Sequence, residues 1–148
     1  MKLITEMTED VTYLIEEDKE TGKKSHYIQG VFMQAEQKNR NGRIYPLKIM
    51  TNEVTRYNKD LVSRNRALGE LNHPTGPTVN LDRVSHMIKD LKVQGNDVVG
   101  KAKLLDTPMG NIAKNLVGEG AQLGVSSRGM GSLKEKDGTN YVKDDFML

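Results

Sequence analysis

The sequence contains no cysteine. This absence excludes a cysteine nucleophile, a thiolate zinc site and a disulfide framework. The chain also lacks any apolar run near the roughly 18 residues that a membrane-spanning helix needs, and it does not start with the apolar segment of a secretion signal. We therefore expect an intracellular protein with no membrane partner.

Hydrophobic residues and net charge are both low. Only 36% of the 148 residues are hydrophobic and the mean hydropathy is −0.61, so we expect a single domain over residues 1–148 with a modest core. The net charge of +2 is too small to indicate nucleic-acid binding by itself. Residues 1–20 contain seven acidic residues and two lysines. This acidic leader either masks the basic remainder or forms a solvated strand and loop.

Periodicity and turn residues predict a mixed α+β chain in which strands dominate. One helix is predicted over 46–64, and a second is capped by Thr107, starts at Pro108 and is ended by glycines at 118 and 120. The predicted strands cover 26–36, 67–72, 84–93 and 97–105, with a last strand pair at 122–134 and 139–148.

The stretch 124–129, GVSSRG, places two hydroxyls and one guanidinium on a glycine-flanked segment. Alternate residues of a strand share a face, and the set containing Ser127 is apolar or small, as a core-facing set would be. Ser126 would then point away from the core on the same side as Arg128. Parity therefore favours Ser126 over Ser127 as a reacting group, although such a segment is also typical of a tight strand–loop junction.

Two other serine or phosphate motifs do not fit this stretch. A nucleophile elbow requires Gly-x-Ser-x-Gly, but an arginine follows the second serine. A phosphate-binding loop requires Lys-Ser/Thr after its last glycine, where this chain has Met130 and Gly131. These departures disfavour an α/β-hydrolase and a nucleotide triphosphatase.

A serine needs a base to take its proton, and His73 lies in a distinctive segment, 67–74 (ALGELNHP). At a strand end, His73 could project into a cleft as a general base. Glu70 and His73 could also be metal ligands, but their offset of three places them on opposite faces of a strand, so we predict no metal or cofactor. Of the other histidines, His26 is expected to face solvent and His86 to be structural.

Five separated segments occur in one order: GVFMQAE at 30–36, NRNGRIYP at 39–46, ALGELNHP at 67–74, GNDV at 95–98 and GVSSRG at 124–129. This series closely resembles the prohead core proteases of large contractile-tailed bacteriophages, a family related in fold to the herpesvirus maturation protease, assemblin. The resemblance runs from about residue 26 to 148, and residues 1–25 form a variable leader outside it.

The resemblance implies an antiparallel β-barrel-like core with flanking helices, as in the herpesvirus proteases. It implies a serine endopeptidase that cleaves scaffold and capsid proteins inside the immature capsid, in the host cytoplasm, after an acidic residue in an Ile/Leu-x-Glu context. Carried over, His73 matches the general base and Ser126 the nucleophile. By analogy with assemblin, Arg128 or a nearby backbone N–H would stabilise the oxyanion. Self-association is left open.

The chain departs from the family pattern near its end. The group that orients the histidine is expected within a segment resembling Asp-x-Val-x-x-Pro-Ser, which this sequence lacks. We therefore expect that C-terminal strands of the family domain are missing and that the third triad residue lies beyond Leu148, with Asp144 and Asp145 as fallback candidates. The alternative function is a catalytically impaired structural component of the capsid or scaffold with the same fold.

Two further hypotheses concern the basic and acidic segments. Ile4-Thr5-Glu6 and Leu14-Ile15-Glu16 fit the family's cleavage context and are candidate self-processing sites. Nucleic-acid binding is disfavoured, because no RNA-module signature accompanies the basic residues and Tyr45 is their one nearby aromatic. These basic residues are Lys38, Arg40, Arg43 and Lys48.

Overall fold

A computed structural model describes residues 1–9, 11–73 and 75–148, and within these residues it contains ten strands and two helices. Asp10 of the acidic leader and Pro74, the last residue of the histidine segment 67–74, lie outside the described residues. The strands are β1 Lys2–Thr8, β2 Val11–Glu17, β3 Lys24–Gln34, β4 Arg43–Ile44, β5 Leu68–Glu70, β6 Val84–Gln94, β7 Asp97–Leu104, β8 Val125–Gly131, β9 Leu133–Lys136 and β10 Thr139–Val142. The helices are α1 Leu47–Asp60 and α2 Pro108–Gly118.

The largest sheet has five antiparallel strands in the order β2-β3-β7-β6-β5. The hairpin predicted near residue 95 is confirmed, because β6 and β7 pair from Gln94 opposite Asp97. Gly95 in this turn has a φ of 61°, a left-handed conformation that glycine adopts without steric cost. The histidine segment leaves this sheet after its edge strand β5.

The predicted pairing of 122–134 with 139–148 is confirmed in part: β9 pairs with β10 across the predicted turn and Met130 bridges to Met147, but β8 pairs mainly with β1. The segment is divided at Ser132, whose N–H donates to Asp145 Oδ1 at 2.9 Å instead of joining a strand ladder. β8 pairs with β1 from the acidic leader, while β9 forms a hairpin with β10, which also pairs with β4. Within the described residues the strands thus form three sheets, not one closed barrel-like sheet.

Both predicted helices are confirmed. α1 follows Pro46 and is continued by a short 3₁₀ turn at Val62–Arg64, and the hydroxyl of Thr107 caps α2 by accepting the Gly110 N–H at 3.0 Å. Neither α1 nor α2, the helices of the described chain, has the length and hydrophobicity that crossing a bilayer requires.

A single cluster of buried side chains joins the three sheets. It includes Ile4 of β1, Val98 of β7, Met50 of α1 and Val142 of β10, each almost fully buried. Phe146 closes the cluster near β8, where its ring packs edge-on against Tyr45 at 5.3 Å between centroids. The core therefore lies directly beneath the strand that carries the two serines.

Candidate active site

The two serines lie on opposite faces of β8. Ser126 is exposed and Ser127 is half-buried, while Gly129 and Gly131 of the same face as Ser127 are buried. A Cβ on Gly129 would stand 2.6 Å from a ring carbon of Phe146, so this face packs too closely for any side chain there. The predicted parity is confirmed, and Ser126 is the serine that solvent and a ligand can reach.

Ser127 instead faces the interior. It lines a cavity of about 70 Å³ together with Phe32, Tyr45 and Met50. Across the strand pair it stands opposite Glu6, whereas Ser126 stands opposite Met7. Ser127 therefore lies on the packed face of β8, opposite to Ser126.

One flank of β8 is covered by β1, and the other flank is partly open. On the open side Met130 exchanges two backbone hydrogen bonds with Met147, at 2.8 and 2.7 Å. Because residues two apart direct their backbone groups to the same edge of an antiparallel strand, the N–H and C=O of Ser126 and Arg128 also face this edge. In the described part of the chain no strand pairs with them there.

The part of the histidine segment that carries His73 follows the end of β5. Asn72 adopts a φ of 69°, a left-handed conformation that asparagine tolerates and that turns the chain away from the sheet. His73 follows and is exposed, and its ring makes no hydrogen bond to any described residue. His73 is thus accessible at the strand end, as the sequence predicts.

An ion pair joins the two segments. Arg128 Nη2 donates to Glu70 Oε2 at 2.7 Å, and the Glu70 side chain is only 1% exposed. The other carboxylate oxygen, Oε1, accepts from the backbone N–H and the side-chain amide of Asn80, at 3.2 and 2.9 Å. The motif that contains His73 and the strand that contains Ser126 therefore meet through a buried carboxylate.

Sequence reasoning missed this pairing. The available signal was the opposite charge of Glu70 and Arg128, each lying within a few residues of a proposed catalytic side chain. Both oxygens of Glu70 accept hydrogen bonds, from Arg128 and from Asn80, so the carboxylate is not free to bind a metal ion together with His73. Across the residues described, no group of three His, Asp, Glu or Cys side chains is arranged to hold a metal ion.

The environment of His86 supports its predicted structural role. Its Nδ1 lies 2.9 Å from the hydroxyl of Ser85, and its ring occupies the space beside Gly69, where a Cβ would stand 2.0 Å from Nε2. Burial lowers the pKa of His86 to about 4, which keeps the ring neutral at pH 7. His26 differs from expectation, because it is half-buried, stacks on Tyr13 and is hydrogen-bonded to its hydroxyl.

The fallback acid Asp145 is engaged elsewhere. Its carboxylate accepts the hydroxyl of Ser132 at 2.5 Å and the Ser132 N–H, and these bonds lower the pKa of Asp145. Asp144 is exposed. Neither aspartate is hydrogen-bonded to His73, and Asp145 is best described as the residue that separates β8 from β9.

The basic segment is also partly neutralised. Arg43 Nη1 donates to both oxygens of Glu6 at 3.1 Å, and the hydroxyl of Tyr45 donates to Glu6 Oε2 at 2.5 Å. Burial and the adjacent Glu6 carboxylate raise the pKa of Tyr45, so its hydroxyl group stays protonated. Arg43 is thus an internal partner of β1, which weakens the case for a nucleic-acid surface.

These features define a β-rich α+β protein in which an exposed serine and an exposed histidine lie on segments joined by a buried ion pair. The chain belongs to the prohead core protein serine protease family, whose model matches residues 5–148. It is 41% identical over 126 residues to the prohead core protein protease of Enterobacteria phage T4. That alignment covers 82% of this chain and 59% of the relative, so the chain spans less than two thirds of the relative's length.

A solved structure supports the same conclusion. The capsid assembly protease of bacteriophage T4 matches with a TM-score of 0.82 and 32% identity, covering 97% of this chain and 93% of that one. The predicted family and the mixed α+β class are therefore confirmed. The roles of His73, Ser126 and Arg128 remain predictions, as does the fold relationship to the herpesvirus proteases.

Proposed function

We propose that this chain is a serine endopeptidase of capsid maturation, with Ser126 as nucleophile and His73 as general base. The observation that carries the proposal is the ion pair between Glu70 and Arg128, because it joins the two predicted catalytic segments across separate sheets. The exposure of Ser126, set against the burial of Ser127's face, is consistent with it.

The chemistry follows from these side chains. His73 would take the proton of Ser126 as its oxygen attacks the scissile carbonyl, and would return the proton to the leaving amine when the acyl-enzyme forms. Water then attacks the acyl-enzyme, with His73 taking the proton of the water and returning a proton to the Ser126 oxygen as the acyl group leaves. The oxyanion would be stabilised by Arg128 or by a backbone N–H on the open edge of β8, since donors aimed at the developing charge give a large part of such catalysis.

The open edge of β8 offers a way to hold the substrate. An extended peptide can add to an unpaired strand edge through main-chain hydrogen bonds. The backbone groups of Ser126 and Arg128 face this edge, so a peptide paired there would run past the Ser126 hydroxyl.

The proposed substrates are scaffold and capsid proteins inside the prohead, in the host cytoplasm, cleaved after an acidic residue in an Ile/Leu-x-Glu context. Support comes from the relatives, which are described as a prohead core protein protease and a capsid assembly protease. We propose that residues 1–148 form one domain for this activity, and that β1 of the leader is part of it, since β1 pairs with β8 and the family match begins at residue 5.

Cleavage of a scaffold protein or of an Ile-x-Glu peptide tests the proposal. Ser126→Ala should lower turnover by on the order of 10⁶-fold, as loss of a catalytic serine does in a serine protease. Ser127→Ala is the matched control and should retain turnover, because its side chain faces the core. Chromatography of the cleaved peptide gives the rates, and cleavage by Ser126→Ala at the wild-type rate would refute the proposal.

A structural component of the capsid or scaffold with the same fold is the second candidate. The observation that favours it is the His73 ring, which has no hydrogen-bond partner among the described residues to orient it. Catalytic hydrogen bonds often tighten only when substrate binds, so a free ring in the unbound protein is also compatible with the protease. Co-assembly with scaffold protein, without cleavage by the wild type or by either serine variant, would establish this second function.

A further inference from the structure

The carboxylate of Glu70 binds two parts of the chain at once. Its Oε2 accepts from Arg128 at 2.7 Å, and its Oε1 accepts two bonds from Asn80. The side chain is 1% exposed and both of its oxygens are occupied, so the carboxylate has no oxygen left to bind a substrate.

The two partners of Glu70 bracket the proposed site. Glu70 and Asn80 stand at the two ends of the loop that carries His73, so their hydrogen bonds close this loop at its base. Arg128 lies two residues after Ser126 on β8. Since β5 and β8 belong to different sheets, the ion pair fixes a distance that strand pairing does not set.

One nitrogen of the Arg128 guanidinium, Nη1, has no hydrogen-bond partner among the described residues. Nη2 is held by Glu70, whereas Nη1 is buried. A buried polar group without a partner is uncommon in native proteins and calls for an explanation. Arg128 lies two residues from the exposed serine and its side chain is 17% exposed, so an oxygen of a bound peptide can satisfy this donor.

We propose that Glu70 is a positioning residue. It holds Arg128 so that Nη1 is directed to an oxygen of the substrate, and it holds the base of the His73 loop against the serine strand. This inference rests on the proposed function, since it assigns a role to Glu70 within the same reaction. The competing explanation is that the ion pair only stabilises the fold.

The deciding experiment is rescue of Glu70→Ala by formate. The alanine variant leaves a hole the size of a small carboxylate, and formate can re-form the bond to Arg128. Without formate we expect kcat to fall by about 10²-fold, the scale for loss of one oxyanion donor, with KM little changed because Glu70 does not touch the substrate. Added formate should restore kcat in part, and the same concentration of chloride should not.

Two further variants separate positioning from stability. Glu53→Gln removes the charge of another buried glutamate, which pairs with Arg56 at 2.5 Å on α1 and contacts neither catalytic segment, so it should lower the melting temperature and leave kcat unchanged. If Glu70→Ala does not fold, Glu70→Gln keeps the size of the side chain and is judged by the same loss of kcat.

A folded Glu70 variant with wild-type kcat would overturn the inference. So would a loss of kcat in folded Glu70→Ala that formate does not relieve. Ser126→Ala is run alongside: if it is inactive while the Glu70 variants are fully active, only the role of Glu70 fails. If Ser126→Ala cleaves at the wild-type rate, the proposed function itself fails, and the inference fails with it.

Discussion

At the residue scale, the charge of Glu70 is set by two opposing effects. Burial raises the pKa of this carboxyl group, but the hydrogen bonds from Arg128 and Asn80 outweigh it and the pKa is lowered. The carboxylate is therefore ionised at neutral pH despite its burial, and its charge is matched by the guanidinium beside it.

This lowered pKa predicts a pH dependence of stability. A carboxyl group with a lowered pKa in the folded state stabilises the fold above its unfolded pKa of about 4.3, and this contribution is lost as the pH falls through the folded value. The wild type should thus exceed Glu70→Gln in free energy of unfolding most clearly at neutral pH. Below about pH 4 the difference should shrink, because the wild-type carboxyl group also becomes neutral.

Urea denaturation of both proteins across this pH range measures the difference. The Glu53→Gln variant controls for general acid effects on a buried glutamate. A difference between wild type and Glu70→Gln that stays constant from neutral to acid pH would contradict the lowered pKa.

Single residues also show what the sequence can predict. The opposite orientations of Ser126 and Ser127 could be predicted from the alternation of one strand, which is a local property. The pairing of Glu70 with Arg128 could not be predicted in the same way, because the partners are 58 residues apart and lie in different sheets. Opposite charge alone allows many possible ion pairs in this sequence, and only the tertiary fold determines which of them forms.

At the scale of elements, local signals predicted the hairpin and the second helix. Gly95 in the turn indicated the hairpin, and the Thr107–Pro108 cap indicated the start of the helix. The last strand pair was right only in part. A bond between Ser132 and Asp145 divides β8 from β9, and β8 pairs mainly with β1, and neither feature has a local signature.

The two candidate self-processing sites lie in different settings. Ile4 of β1 is fully buried, and Glu6 is bonded to Arg43 and Tyr45. In β2, an edge strand of the five-stranded sheet, Ile15 is 51% exposed and Glu16 is bonded only through an exposed ion pair to Lys101. The second site is therefore the more exposed of the two in the folded chain.

We therefore expect cleavage after Glu16 rather than after Glu6 when the Ser126→Ala protein is incubated with active wild type. Mass spectrometry of the Ser126→Ala protein distinguishes the products. Glu16→Gln should abolish the cleavage, and Glu6→Gln should leave it in place. Cleavage confined to the Glu6 site of folded protein would show that burial of β1 does not protect it.

At the scale of the whole molecule, Phe146 links the serine strand to the rest of the core. Its side chain is 5% exposed, lies against Gly129 and Gly131 of β8 and packs on Tyr45. Because the ring contacts one sheet on one side and the α1 region on the other, it contributes to the docking of separate sheets.

Phe146→Ala should lower the free energy of unfolding by about 3–5 kcal/mol, the usual cost of removing a buried phenylalanine side chain. Phe146→Leu retains most of the volume and should cost less. Chemical denaturation of the three proteins gives the values. A loss below about 1 kcal/mol for the alanine variant, within the range of surface substitutions, would show that the ring carries little of the docking energy.

The ion pair between Glu70 and Arg128 also bears on when the chain becomes active. For the proposed protease, a chain that has formed its five-stranded sheet but has not yet docked β1 and β8 holds its histidine and its serine apart. Such a chain would not yet cleave the proteins around it. Proteolytic activity would then require β1 and β8 to be docked against the rest of the fold.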